Sequence, residues 1–379
     1  MSTSASNVTL SNWRTGPYSR WAFRNVGELI DTQSISRPTE ASSLSGSDNE
    51  LLDEFDIPFQ EQNITWKDYL SNSATDAVVI LHRGHVVYER YFNGNGPDSK
   101  HIVMSVSKSI FGLITGILSS QGKLDTDDAV TKFVPELAES KVYGKCTLRH
   151  LLDMRSGNQV SDQNQEYRAA IGWAPPEGEG PTQSMFEYIA GLDGAGSKEP
   201  GGAFEYNSIN TDLLGWCLER ATGSKLAELA TELLWKPMGA EFDAGITLDK
   251  AGNGRAAGGV CASVRDVARV GRLIARKGDG VVPATWVEDM IGKGDTKAWA
   301  EGVFSALPDF AGDAYRSCWI SNAGRRELTA LGVYGQMLAV DVENDVVMAK
   351  TSSQPEAADV KDIVLGRRAF REVVKQLQK

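Results

Sequence analysis

Residues 77–92 (AVVILHRGHVVYERYF) hold two runs of β-branched and aromatic residues around Arg83-Gly84. That pattern predicts a β-hairpin. Ile110, Phe111, Ile114, Ile117 and Leu118 then recur at helical spacing, and Gly122 closes the helix. From there to about residue 250 the chain reads as helices and short loops. Thr147-Leu-Arg-His-Leu-Leu is one such helix, and residues 212–221 before Gly223 are another. β character returns late. Residues 329–341 and 346–351 flank a turn at 342–345 and predict a second hairpin. Residues 360–377 form an amphipathic terminal helix. Residues 31–50 are polar and Ser-rich, and predict a surface arm. Trp13, Tyr18, Trp21 and Phe23 precede that arm and need a place to bury.

Strands sit early and late, and helices fill the middle. The economical architecture is α/β plus all-α: an antiparallel sheet flanked by helices, interrupted by a helical insertion. Residues 1–115 and 250–379 form the discontinuous α/β part, and 116–249 the mainly α-helical part. The 379 residues fit two such units at about 150 residues each. The cleft between them is the natural place for a ligand.

Charge narrows the partners. Asp plus Glu number 50 against 39 Lys plus Arg, a net charge of −11. A phosphate-backbone binder needs a basic surface, so nucleic acid is excluded. The N-terminus is polar, without the apolar run of a signal peptide. No stretch approaches the ~18 apolar residues of a membrane span. Cys146, Cys217, Cys261 and Cys318 are widely spaced and read as free thiols of a cytoplasmic protein. His82 and His85 lack a nearby third ligand, so no metal is expected, and no organic cofactor either. The remaining histidines, His101 and His150, read as structural. No histidine follows His150, which excludes the Ser…Asp…His order of the α/β-hydrolases.

The chemistry gathers at Ser105-Val-Ser-Lys108, an S-x-x-K at a helix start. Residues three apart share a helical face, so the Lys108 amine reaches the Ser105 hydroxyl. A serine is a weak nucleophile without a base beside it. A lysine serves as that base when burial or neighbouring cations disfavour its charged form. Ser120-Gln-Gly-Lys123 has the same spacing but lies at a helix end, and reads as a solvated turn. Tyr206, in Phe204-Glu-Tyr-Asn-Ser208, precedes a helix, where a phenol can shuttle a proton. Gly332 and Gly335 lie in a late strand, where glycines mark close backbone approach.

S-x-x-K, then Y-x-S about a hundred residues on, then a glycine-bearing late strand: this order resembles the serine β-lactamase and penicillin-binding-protein superfamily, in its class C-like branch. Thr147–Gly157, Leu234–Ala240 and Gly258–Ala268 are similar to that branch as well. Asn12–Trp21, Phe204–Asp212, Gly332–Gln336 and Lys350–Pro355 resemble its nylon-oligomer (6-aminohexanoate-dimer) hydrolase group. The resemblance spans residues 12–370 and implies a β-lactamase/transpeptidase-like fold. It implies Ser105 as acylated nucleophile and Lys108 and Tyr206 as proton relay. The backbone N–H groups of Ser105 and Val333 would form the oxyanion hole, and Ser208 would complete the second motif.

Two departures shape the expected substrate. Ala330-Leu331-Gly332 stands where the superfamily has Lys-Thr-Gly or His-Thr-Gly, so a carboxylate anchor is missing. Tyr334 stands where the nylon-oligomer group has histidine, and the loop after Gly157 is shorter. Tyr167, Trp173, Tyr334 and Trp319 are the candidate substrate contacts beside Ser208. The expected activity is hydrolysis of a small amide or short-chain ester through an acyl-enzyme on Ser105, the assembly considered being a homodimer. The alternative is a catalytically inert ligand-binding relative.

Overall fold

The computed structural model describes residues 7–49, 52, 54–178 and 182–379. The first six residues of the polar N-terminal stretch and the last of the Ser-rich arm lie outside them. In chain order the strands are β1 (Thr32–Ile35), β2 (Asp56–Phe59), β3 (Gln62–Thr65), β4 (Thr75–His82), β5 (His85–Tyr91), β6 (His101–Ile102), β7 (Ala244–Thr247), β8 (Val260–Ala262), β9 (Ala314–Arg316), β10 (Trp319–Asn322), β11 (Glu327–Gly332), β12 (Gln336–Asp341) and β13 (Val346–Ser352). The helices that matter here are α1 (Val106–Ser120), α2 (Ser208–Thr222), α3 (Val264–Ala275) and α4 (Val360–Leu377).

The β4–β5 hairpin turns at Arg83-Gly84 and pairs through β4 with β13. The resulting antiparallel sheet runs β5-β4-β13-β12-β11-β10-β9, so the early hairpin and the late strands share one sheet, joined at the β4–β13 pair. Strand side chains alternate between the two faces. Val79, Leu81, Leu338, Val340 and Val347 join one core with residues of α1 and α3. Val78, Ile80, Met337, Ala339 and Met348 join another with Leu365, Phe370 and Val373 of α4. Each of these Val, Leu, Ile, Met and Phe side chains contributes about 1.5–3 kcal/mol when fully buried. Arg367 of α4 adds a buried ion pair to the sheet side, 2.5 Å from Asp313 and 2.8 Å from Glu327.

The late β region differs from the sequence expectation. Residues 329–341 are not one strand but belong to β11 and β12, separated by a tight turn over Val333–Gly335. Tyr334 adopts φ +65° and Gly335 φ +89°, which reverses the chain. Periodicity cannot see this turn, because apolar alternation continues across it. The Ser-rich arm is also more anchored than a surface arm. β1 pairs with β7, and the Leu44 N–H donates to Glu241 at 2.6 Å. Trp13 and Phe23 are fully buried, while Tyr18 and Trp21 pack partly exposed against the same core.

α1 runs unbroken to Ser120, past residue 115, and β7 lies in the segment read as helical. We propose the same two-part division with its ends moved to these element limits. Gly112 and Gly116, which break the apolar run of α1, do not break the helix. A Cβ on Gly112 would stand 2.3 Å from the Ser317 carbonyl oxygen, so only glycine lets that loop pack on the helix.

Candidate active site

Ser105 caps the start of α1 and follows Met104, held at the left-handed φ of +47°. A non-glycine residue rarely adopts that conformation, and such turns recur at functional sites. The first turn of α1 is locked on two sides. The Ser107 hydroxyl accepts the Val260 N–H at 3.0 Å, and the Ser109 hydroxyl donates to the Cys318 carbonyl at 2.7 Å.

One turn along, the Lys108 amine is buried. Its Nζ lies 2.9 Å from Ser105 Oγ, 3.2 Å from Ser208 Oγ and 2.6 Å from the Ala257 carbonyl oxygen. Burial, reinforced by the nearby Arg255 guanidinium, pulls its pKa down to about 8. The neutral amine is therefore accessible near physiological pH. Donating two hydrogens to Ala257 and Ser208, it can direct its lone pair at Ser105 Oγ–H.

Tyr206 lies across the site just before α2, with Lys108 Nζ 5.1 Å from its ring centroid. Burial, partly offset by the neighbouring Ser105 side chain, pushes its pKa above the ordinary tyrosine value. The phenol thus stays protonated. Phe304 stacks on its ring at 5.5 Å. The structure brings Ser105, Lys108, Tyr206 and Ser208 together from positions a hundred residues apart. Gly332 ends β11 against this group. A Cβ there would meet the Val103 carbonyl oxygen at 2.8 Å, so the close approach expected of this glycine is present.

The other sequence candidates lie elsewhere. A cavity of about 360 Å³ opens beside Ser105 and Tyr206, and Tyr167, Trp173, Tyr334 and Trp319 do not line it. Tyr167 is buried, and its hydroxyl donates to Asp212. Trp173 lies under the Arg255 guanidinium at 3.6 Å and donates its Nε1–H to Thr247 at 3.2 Å. Trp319 is wholly buried in the core. Tyr334 packs on Phe23 at 5.2 Å, and its N–H donates to the Ala357 carbonyl. Their size and amphipathic character suit a pocket, but here the same properties serve packing. Ser208 differs from these four because it touches Lys108 directly.

Sequence reading missed a supporting layer. The Asp212 carboxylate accepts the Ala257 N–H at 2.8 Å and so fixes the peptide whose carbonyl holds Lys108. Burial raises the Asp212 pKa, partly relieved by Arg255 and Tyr167. Asp162 accepts the Ser208 N–H at 2.8 Å. Burial pushes its carboxyl up, but the Ser208 hydrogen bonds and the Lys108 charge outweigh this and hold it below the ordinary carboxylate range. Neither acid has a spacing signal, since each acts through a backbone group supplied by another segment.

His101 and His150 make structural contacts. His101 is buried against Asp76, with Nε2 3.2 Å from its carboxylate, and His150 completes a capping box with Thr147. Among the described residues no group of three His, Cys, Asp or Glu could hold a metal ion, and no helix is long and apolar enough to cross a membrane.

A buried lysine and a tyrosine converging on a helix-capping serine, beside an antiparallel sheet flanked by helices, define a hydrolase of the β-lactamase/transpeptidase-like fold. The chain belongs to the β-lactamase family, whose pattern matches residues 71–369. It is 36% identical to the 6-aminohexanoate-dimer hydrolase of Paenarthrobacter ureafaciens over 368 residues, covering 93% of this chain and 90% of that protein. A provisionally named 6-aminohexanoate-dimer hydrolase from Bacillus anthracis superposes with a TM-score of 0.87 at 26% identity, covering 100% of this chain and 99% of that one. EstCE1, described as a hydrolase with promiscuous acyltransferase activity, shares the fold with a TM-score of 0.62 at 17% identity, over 80% of this chain and 98% of its own.

Proposed function

We propose that the protein cleaves small esters or amides through an acyl-enzyme on Ser105. The observation that carries this reading is the 2.9 Å contact between Ser105 Oγ and the Nζ of a buried lysine whose pKa lies at about 8. Neutral Lys108 takes the Ser105 proton as Oγ attacks the substrate carbonyl carbon. The backbone N–H groups of Ser105 and Val333 receive the developing oxyanion. The close packing of Gly332 on the nucleophile turn supports that pairing. The proton then passes by way of Tyr206 to the leaving alkoxide or amine. Water attacks the acyl carbon, gives its proton back through the same pair, and the acid departs as Ser105 regains its hydrogen.

The substrate class rests on the named relatives and on the missing third-motif cation. Ala330, where the superfamily carries Lys or His, is buried in the sheet core. Esters are favoured over amides because alkoxides leave more readily than amines. We place the enzyme in the cytoplasm, a reading supported by four buried, unpaired cysteines. Turnover of p-nitrophenyl acetate by the wild type and by Ser105→Ala tests the function. Turnover that vanishes in the variant supports it. Equal rates, or no turnover in either, refute it.

A further inference from the structure

The cavity beside Ser105 extends past Phe304 and Leu307 and reaches Ile363 at the start of α4. Its floor includes Tyr69, Thr329 and Lys350, all buried. Among the described residues Lys350 is the only cation lining it, and its Nζ stands 3.9 Å from the Asp362 carboxylate while also donating to the Ser73 and Ser352 hydroxyls. The two charges offset each other, so the buried floor presents no free charge to a ligand; the remaining charged lining residue among the described residues, Asp359, is exposed to solvent. The lip is unusual in the opposite sense. Val303, Val333 and Val360 line the cavity and are 76%, 40% and 48% exposed. Among the described residues the only other large apolar side chain so exposed is Phe92. Apolar residues gathered around one opening mark it as an entrance for an apolar group.

We propose that this cavity is the acyl-binding subsite, and that it selects an uncharged, straight-chain apolar acyl group of medium length. The proposal rests on Ser105 being the acylated nucleophile. After the first step the acyl group stays on Ser105 Oγ, while the leaving group must depart and water must enter. A deep apolar pocket with a buried floor suits the part that stays. An acyl chain ending in an ammonium or a carboxylate would bring an unpaired charge onto a floor already neutralised, at a large desolvation cost.

The test is kcat/KM for p-nitrophenyl acetate, butyrate and hexanoate, with the mono-p-nitrophenyl ester of adipic acid as the charged comparator. A fully buried methylene is worth roughly fourfold, so the wild type should gain about tenfold or more from acetate to hexanoate. The charged ester should fall about tenfold or more below hexanoate. Ile363→Trp, which narrows the channel, should lower the hexanoate-to-acetate ratio about tenfold. Val303→Asp, at an exposed position where folding is not at risk, should lower it about threefold. A flat chain-length profile in the wild type overturns the proposal. So does a ratio unchanged in both variants, or a charged ester matching hexanoate. In all three cases ester turnover still depends on Ser105. Loss of all turnover together with absence of any Ser105 adduct overturns the hydrolase reading itself.

Discussion

Lys108 is anchored to Ala257: its Nζ lies 2.6 Å from that carbonyl oxygen, closer than its 2.9 Å approach to the Ser105 hydroxyl. The anchor positions the amine, and burial sets its charge. Because the folded-state pKa is depressed to about 8, the neutral base accumulates above that pH. kcat/KM for an ester should therefore rise about tenfold per pH unit on the acid side and level off above about 8. The measurement is a pH–rate profile corrected with Ser105→Ala.

Arg255 is the strongest tuning charge on Lys108. Its guanidinium lowers the Lys108 pKa, whereas Asp162 and Asp212 raise it. Arg255→Gln should move the acid limb of the profile to higher pH while leaving its shape intact. A limb that stays in place would show that burial alone sets the base.

Lys108→Met removes the base and should cost about 10²–10⁴ in kcat/KM, with the thermal transition largely retained. A loss of only a few-fold would break the relay assignment.

Tyr206 is kept protonated by burial and lines the same cavity as Ser105. Tyr206→Phe should therefore harm amides more than p-nitrophenyl esters, since p-nitrophenolate leaves without acid help. The ratio of amide to ester kcat/KM should fall about tenfold or more. An unchanged ratio would place Tyr206 outside the protonation of the leaving group.

Nitrocefin should not be turned over under conditions where p-nitrophenyl acetate is. Ala330, buried where the resemblance puts the third motif, offers no cation for a β-lactam carboxylate. Hydrolysis of nitrocefin at a rate like that of the ester would contradict this.

The sequence was legible where local rules dominate. The hairpin at Arg83-Gly84, the helix after Ser105 and the terminal helix follow from period and punctuation, while Ser105, Lys108 and Tyr206 are marked out by the resemblance to the family's motifs. The turn at Val333–Gly335 was hidden because a positive φ at Tyr334 has no periodic signature. The supporting acids Asp162 and Asp212 were hidden because they act on backbone N–H groups of distant segments. The aromatic candidates Tyr167, Trp173 and Trp319 are buried in packing contacts, which sequence could not show for a related reason. Large amphipathic rings suit a pocket or a core equally, and only the packing decides between them.

The central claim is a covalent bond on Ser105. Incubation with a fluorophosphonate probe, followed by peptide mapping with mass spectrometry, tests it directly. The expected result is one adduct, on the Ser105 oxygen, absent from Ser105→Ala. An adduct on a different residue, or none from a preparation that turns over ester, would contradict the account.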